Sequence, residues 1–121
     1  MDEPGPLCRI VNATRYSCSG LSQAWRTQAA LRYEIYILLI LIPLAWWAGK
    51  TALARALLIA SWLLVIVVEL LNSAIETVVD RIGGEHHELS GRAKDFGSAA
   101  VLCAIVLAAT VWLFLWVGQL T

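Results

Sequence analysis

The chain has 121 residues, of which 60% are hydrophobic and 15% are charged, and its formal net charge is zero. This length corresponds to a single domain, and the apolar fraction exceeds that of soluble proteins, so a lipid bilayer is the expected solvent. Nucleic acid is not an expected partner of a chain whose net charge is zero.

The N-terminal segment, residues 7–32, contains four arginines and no acidic residue. Its apolar residues recur at roughly helical spacing, and Gly20 is an expected break. A basic amphipathic helix lying on an anionic membrane surface is the predicted structure. The apolar stripe consists of Leu7, Ile10, Val11, Leu21, Ala24 and Trp25.

Three apolar segments follow, and each is predicted to be a transmembrane helix. The first, residues 33–48, contains Pro43 as an expected kink. The second, residues 52–82, meets no helix breaker and is predicted to continue beyond the membrane as a cytoplasmic extension. A polar loop, residues 83–95, leads to the third span, residues 96–118. The predicted fold is an all-α membrane protein with one surface helix and three spans.

Lysine and arginine indicate the orientation of the chain, because they are enriched in cytoplasmic segments. Of the nine, only Lys50 and Arg55 lie near the connection between the first and second spans. The other seven lie before the first span or near the connection between the second and third, on the opposite side. The N-terminus and the second loop are therefore predicted in the cytoplasm, and the C-terminus outside.

The end of the second span carries polar residues within the stretch "VVELLNSAIETVVD". A helix advances about 100° per residue, so Glu69, Asn72, Ser73, Glu76 and Asp80 form one polar edge. This edge is predicted to run from inside the bilayer to the cytoplasmic surface. Ionisable residues at such depth are costly and usually functional.

Three roles for this edge are consistent with its residues. The amide and hydroxyl groups could bond a neighbouring helix, or the carboxylates could relay protons in a transporter. Alternatively, two carboxylates near the membrane surface could hold a divalent cation, since Mg²⁺ takes one or two carboxylates together with phosphate oxygens. A deeper carboxylate, shielded from water, is a stronger base and could deprotonate a hydroxyl. The last combination suits phosphoryl transfer from a nucleotide to a buried alcohol.

The loop "DRIGGEHHELSGRAKDFGS" fits the same chemistry. Its glycines allow backbone amides to approach phosphates, whose charge Arg92 or Lys94 would offset. Ser90 or Asp95 is the expected cap of the third span. The sequence has no phosphate-binding motif of soluble kinases, and adjacent histidines do not share a helix face, so they predict no metal site.

The stretch "VELLNSAIETVVDRIGGEHHELSGRAKDFGSAAV" resembles the bacterial diacylglycerol kinase family of small integral-membrane lipid kinases. The resemblance covers nearly the whole chain. It implies a homotrimer, a trimeric helical bundle with active sites between subunits at the cytoplasmic surface of the inner membrane. It also implies ATP with Mg²⁺ as one substrate, diacylglycerol as the other, and phosphatidic acid as the product.

The resemblance also implies roles for individual residues. Glu69 matches the general base, Asn72 a catalytic residue beside it, and Glu76 a metal ligand. Matching nucleotide-binding positions are Arg9, Tyr16, Gln28, Glu76, Asp80, Glu85, His86, His87, Lys94 and Asp95. Matching lipid-binding positions are Arg9, Ser17, Trp25, Ala30, Arg32, Arg55, Glu69, Ser98 and Trp112.

One position departs from the family pattern E-A-A-x-R, because this chain reads "QAALR" with Gln28 in the place of a metal-binding glutamate. A glutamine carbonyl can bind Mg²⁺ but contributes no charge, so weaker metal affinity is expected. Glu34 is not an expected replacement, since six residues on one helix place it about 120° away. Two alternatives to diacylglycerol phosphorylation remain: an undecaprenol kinase of the same family, and a small ion-coupled transporter or non-catalytic membrane subunit.

Overall fold

Four helices account for almost the whole chain in the computed structural model, which describes residues 2–83, 85 and 87–120. Three of the helices are long and apolar enough to cross a membrane, which confirms the predicted all-α fold with three spans. The second of these spans, Ala52–Ile82, is 31 residues long. At 1.5 Å per residue this is about 46 Å, so the helix exceeds a bilayer core of about 30 Å. The helices are α1 (Pro6–Thr27), α2 (Ala29–Ala48), α3 (Ala52–Ile82) and α4 (Glu88–Leu120).

The first helix ends earlier than the predicted surface segment, and Gly20 does not break it. Gln28 adopts an extended conformation (φ −113°, ψ 103°) and separates α1 from α2. Arg32 explains the position of the break, because its guanidinium donates to the Trp25 carbonyl (2.9 Å) and the Arg26 carbonyl (3.2 Å). These carbonyls have no partner inside α1, and a basic side chain satisfies them. Residues 29–32 therefore belong to α2.

The connection between α2 and α3 is a tight turn held by two side chains. The Thr51 hydroxyl caps α3 by accepting the Ala54 N–H at 3.1 Å. Arg55 donates from Nε to the carbonyls of Trp46 (3.1 Å) and Gly49 (3.0 Å), and its guanidinium lies 4.1 Å from the centre of the Trp46 ring. The end of α2 is thus capped by a residue of α3.

Replacing Arg55 by alanine is expected to destabilise the protein by about 1–3 kcal/mol, because the substitution removes charge-assisted hydrogen bonds and the cation–π contact. Thermal unfolding in detergent measures this loss, with Arg15→Ala as a control because Arg15 is exposed on α1. A selective loss of lipid affinity at unchanged melting temperature would instead support the predicted lipid-binding role of Arg55.

Small residues bring α3 and α4 together. Ala104 and Ala108 of α4 are buried against Val65 of α3, as expected where van der Waals contact holds helices together in lipid. Two indole N–H groups cross between helices: Trp112 donates to the Leu58 carbonyl at 3.1 Å, and Trp62 donates to the Glu34 carbonyl at 2.8 Å. Both tryptophans thereby satisfy their single polar group.

The predicted polar loop is shorter in the structure because α4 begins at Glu88. His87 caps this helix, with its Nδ1 accepting the Leu89 N–H at 3.1 Å. Ser90 and Asp95 lie inside α4, so the prediction that one of them caps the third span was wrong. An acceptor on the residue just before the helix serves the first turn equally well.

Candidate active site

The polar edge of α3 is graded in exposure. Glu69, Asn72 and Ser73 are buried, with 7%, 7% and 8% of their surface exposed. Glu76 is half-buried, and the Asp80 side chain is 67% exposed. The order follows the predicted course from the helix bundle towards water.

Asn72 lies between Glu69 and Glu76 along α3, and its amide contacts Glu76 and Gly97 of α4. Its Nδ2 donates a long hydrogen bond of 3.5 Å to Glu76 Oε1. Its Oδ1 is buried and has no hydrogen-bond partner among the described residues. This oxygen faces Gly97 of α4, where a Cβ would overlap it. Asn72 therefore links the α3–α4 contact to the Glu76 carboxylate.

Glu34 is a buried carboxylate beside Glu69 that the sequence analysis did not place there. It is only 8% exposed, and its Oε2 has no hydrogen-bond partner within the described parts of the chain. The charge of Glu69 acts on it, although the two residues belong to α2 and α3. Because the chain breaks at Gln28, the angle computed along one continuous helix was wrong. The sequence feature that could have identified Glu34 is that it is a single acidic residue at the start of an apolar span.

A second polar group forms where α3 ends and α4 begins. Lys94 Nζ is paired with Asp80 Oδ1 at 2.8 Å. Both side chains line a cavity of about 300 Å³, together with Glu85 and His87. Four predicted nucleotide-binding residues therefore converge here. Asp95 is exposed and not part of the cavity lining, and His86 lies outside the described residues.

The predicted ligands on α1 are not all brought to these groups. Arg9 forms an ion pair with Glu3 and donates to the Pro4 carbonyl at 3.2 Å, and Tyr16 is 73% exposed. Ser17 and Gln28 line a separate groove of about 710 Å³ between α1 and α3. Glu76 is not among the described residues that line this groove.

The remaining predicted lipid contacts are spread along the molecule. Ala30 and Ser98 are exposed, at the start of α2 and in the third turn of α4. Trp25 packs edge-on against Tyr36, with ring centres 5.6 Å apart. Arg55 lies 14 residues before Glu69, roughly 21 Å along the helix. Within one chain, Arg55 and Trp112 bind backbone carbonyls rather than surround the carboxylates.

Magnesium could be held here with help from a nucleotide. Across residues 2–83, 85 and 87–118, no three histidine, cysteine, aspartate or glutamate residues are grouped as a metal site. Mg²⁺ characteristically takes one or two carboxylates and fills its shell with phosphate oxygens and water. Glu76, half-buried and accepting a hydrogen bond from the Asn72 amide nitrogen, fits that requirement as a single protein carboxylate.

Comparison with known proteins decides the family. A profile described as "Prokaryotic diacylglycerol kinase" matches residues 15–116. The chain belongs to this family. The match confirms the predicted resemblance and the predicted enzyme class, a diacylglycerol kinase that transfers phosphate to an alcohol group.

Curated members of the family are similar over almost their full length. The chain is 55% identical to the diacylglycerol kinase of Escherichia coli strain K12 over 109 residues, which cover 89% of each protein. It is 52% identical to that of Haemophilus influenzae over 106 residues, 88% of this chain and 90% of the relative. The Pseudomonas aeruginosa diacylglycerol kinase is 46% identical over 112 residues, 93% and 91% of the two chains. Family membership and the three candidate spans make this a bacterial inner-membrane protein.

Proposed function

We propose that this family member transfers the γ-phosphoryl group of ATP to the primary hydroxyl of diacylglycerol, forming phosphatidic acid at the cytoplasmic face of the membrane. The observation that carries the proposal is the graded edge of α3. A buried carboxylate, Glu69, lies two turns from the half-exposed Glu76, and Asp80 follows beside Lys94. A membrane alcohol and a water-soluble nucleotide would meet along such an edge.

In the proposed reaction, one proton moves, one bond to phosphorus forms and one bond to phosphorus breaks. Glu69 accepts the proton of the lipid hydroxyl, and the hydroxyl oxygen forms a bond to the γ-phosphorus. The bond from this phosphorus to the oxygen shared with the β-phosphate breaks, and ADP leaves. Stabilising the charge on the phosphoryl oxygens is the main catalytic requirement of such transfers.

The other residues bind and orient the nucleotide in this proposal. Glu76 would hold Mg²⁺, which neutralises charge on the phosphates when bound. Asn72 donates to Glu76 and keeps its carboxylate directed along the edge. Lys94 would exchange Asp80 for phosphate oxygens, and Glu85 and His87 line the adjoining cavity.

We further propose that the active unit is a homotrimer with the N-terminus and the loop between α3 and α4 in the cytoplasm. Seven of nine basic residues flank that side of the spans, in keeping with the positive-inside preference. Within one chain, Arg9 and Gln28 lie away from the Lys94 cavity. Neighbouring subunits would bring such groups to a shared site.

A coupled assay in detergent micelles with ATP and Mg²⁺ tests the reaction, with diacylglycerol and undecaprenol added separately. ADP release that depends on diacylglycerol, with phosphatidic acid as the product, is expected. Turnover with undecaprenol alone would mean that the same reaction takes undecaprenol as its lipid alcohol. ADP release without either lipid, or none with both, would contradict the proposal.

Replacing Gln28 by glutamate is expected to lower the Mg²⁺ concentration that gives half-maximal turnover by several-fold, because a carboxylate adds charge to the metal's surroundings. The measurement is a magnesium titration at saturating ATP and lipid. Gln23→Glu, on α1 five residues earlier, is a comparison for added charge alone. An unchanged titration in Gln28→Glu would place residue 28 away from the metal.

A further inference from the structure

One contact between α3 and α4 leaves no room for a side chain and is made by a glycine. Gly97 is buried in α4, and a Cβ at this position would overlap the Asn72 Oδ1 and lie 3.2 Å from the Asn72 Cγ. By contrast, Cβ atoms added at Gly91 or Gly118 of the same helix would meet nothing within 4 Å. The lack of a side chain therefore matters at Gly97 and not at the other two positions.

The Asn72 amide has a neighbour on each side, Gly97 at its oxygen and Glu76 at its nitrogen. Its oxygen is buried against Gly97 without a hydrogen-bond partner among the described residues, while its nitrogen donates to Glu76 Oε1. A buried amide oxygen without a partner costs free energy, so the orientation requires support from packing. The contact with Gly97 supplies this packing.

The same seam continues along α4 through other small residues. Ala104 and Ala108 are buried against Val65 of α3, and small residues let helix backbones approach closely in a bilayer. Gly97 is the member of this seam that meets a polar side chain. It also lies within one turn of Lys94, so its packing sets the separation of α3 and α4 beside the nucleotide cavity.

We infer that Gly97 is a positioning residue of the kinase site: its missing side chain lets α4 hold the Asn72 amide so that the amino group points at Glu76. Gly97 contributes no group to the reaction itself. It acts by placing Asn72, and through Asn72 the carboxylate proposed to hold the metal. This inference rests on the proposed function for its kinetic consequence, but not for the contact itself.

Replacing Gly97 by alanine is expected to lower turnover 10- to 100-fold, since displacements of about 1 Å at a catalytic site have effects of this size. The Mg²⁺ concentration for half-maximal turnover should rise in the same variant, which a general loss of folded protein would not cause. Gly118→Ala, on the same helix, should retain turnover within two-fold. Unchanged turnover and unchanged magnesium dependence in Gly97→Ala would overturn the inference.

A thermal double-mutant cycle, in which melting temperatures are compared, tests the contact independently of turnover. Gly97→Ala should lower the melting temperature of the parent protein by several degrees. In the Asn72→Ala background it should leave the melting temperature unchanged or raise it, because the overlapping amide is gone and alanine favours a helix. Such non-additivity is the signature of two residues in contact.

Equal effects of Gly97→Ala in both backgrounds, or none in either, would overturn the inference. If the parent protein phosphorylates no lipid, the proposed function fails while the thermal cycle still decides whether Gly97 holds Asn72. The two failures are therefore distinguishable.

Discussion

Glu69→Gln should lower turnover by at least about 100-fold while the protein remains folded, since general-base catalysis contributes factors of this order. Glutamine keeps the shape of glutamate but cannot accept the hydroxyl proton. Glu69 is only 7% exposed, so water reaches it poorly and a solvent base is a weak substitute. Steady-state rates at saturating ATP and lipid measure the loss.

Two measurements separate a lost base from a lost site. Nucleotide affinity and melting temperature should stay near those of the parent protein in Glu69→Gln. The matched change Glu88→Gln, at an exposed residue paired with Arg92 on α4, should retain turnover within two-fold. Parental turnover in Glu69→Gln would remove this residue from the chemistry and direct attention to Glu34, the other buried carboxylate.

Glu76→Gln should raise the Mg²⁺ concentration for half-maximal turnover at least about tenfold, because the carboxylate proposed to hold the metal becomes neutral. The Oε1 of glutamine can still accept the Asn72 amide, so the substitution removes charge and preserves the hydrogen bond seen at 3.5 Å. Magnesium titrations at fixed ATP measure the shift.

High magnesium should partly restore the turnover of Glu76→Gln, since the defect lies in metal affinity. The same titration on Glu69→Gln should show a low rate at every magnesium concentration. This contrast assigns the two carboxylates to different tasks. A Glu76→Gln protein with the parental magnesium dependence would place the metal elsewhere.

The second span and its polar edge could be predicted from sequence because both depend on local periodicity. Seven residues return a helix to nearly the same azimuth, so Glu69 and Glu76 had to share a face once α3 was continuous. Asp80 and Lys94 were placed near the nucleotide by the family resemblance, and their ion pair across the turn was not predicted.

Other features depended on contacts between distant residues. The break at Gln28 is stabilised by Arg32, which reaches the carbonyls of Trp25 and Arg26, and no local pattern of breakers marked it. Missing the break caused the wrong placement of Glu34. Gly97 resembled any helix glycine until the structure set it against Asn72. Pairings of this kind are invisible to periodicity, which describes one helix at a time.

The contacts around the turn between α2 and α3 affect where the protein unfolds locally. Arg55 and Trp112 tie backbone carbonyls at that end, and Trp47 lies 6.1 Å from Trp116 there. At the opposite end, α3 and α4 are joined by the ion pair of Lys94 and Asp80, which is exposed to solvent. Local opening favours the region with fewer buried contacts. Backbone amides should therefore exchange with solvent deuterium faster at residues 79–83 and 87–91 than around Leu58, so that the end that carries Asp80 and Lys94 opens more readily than the far end.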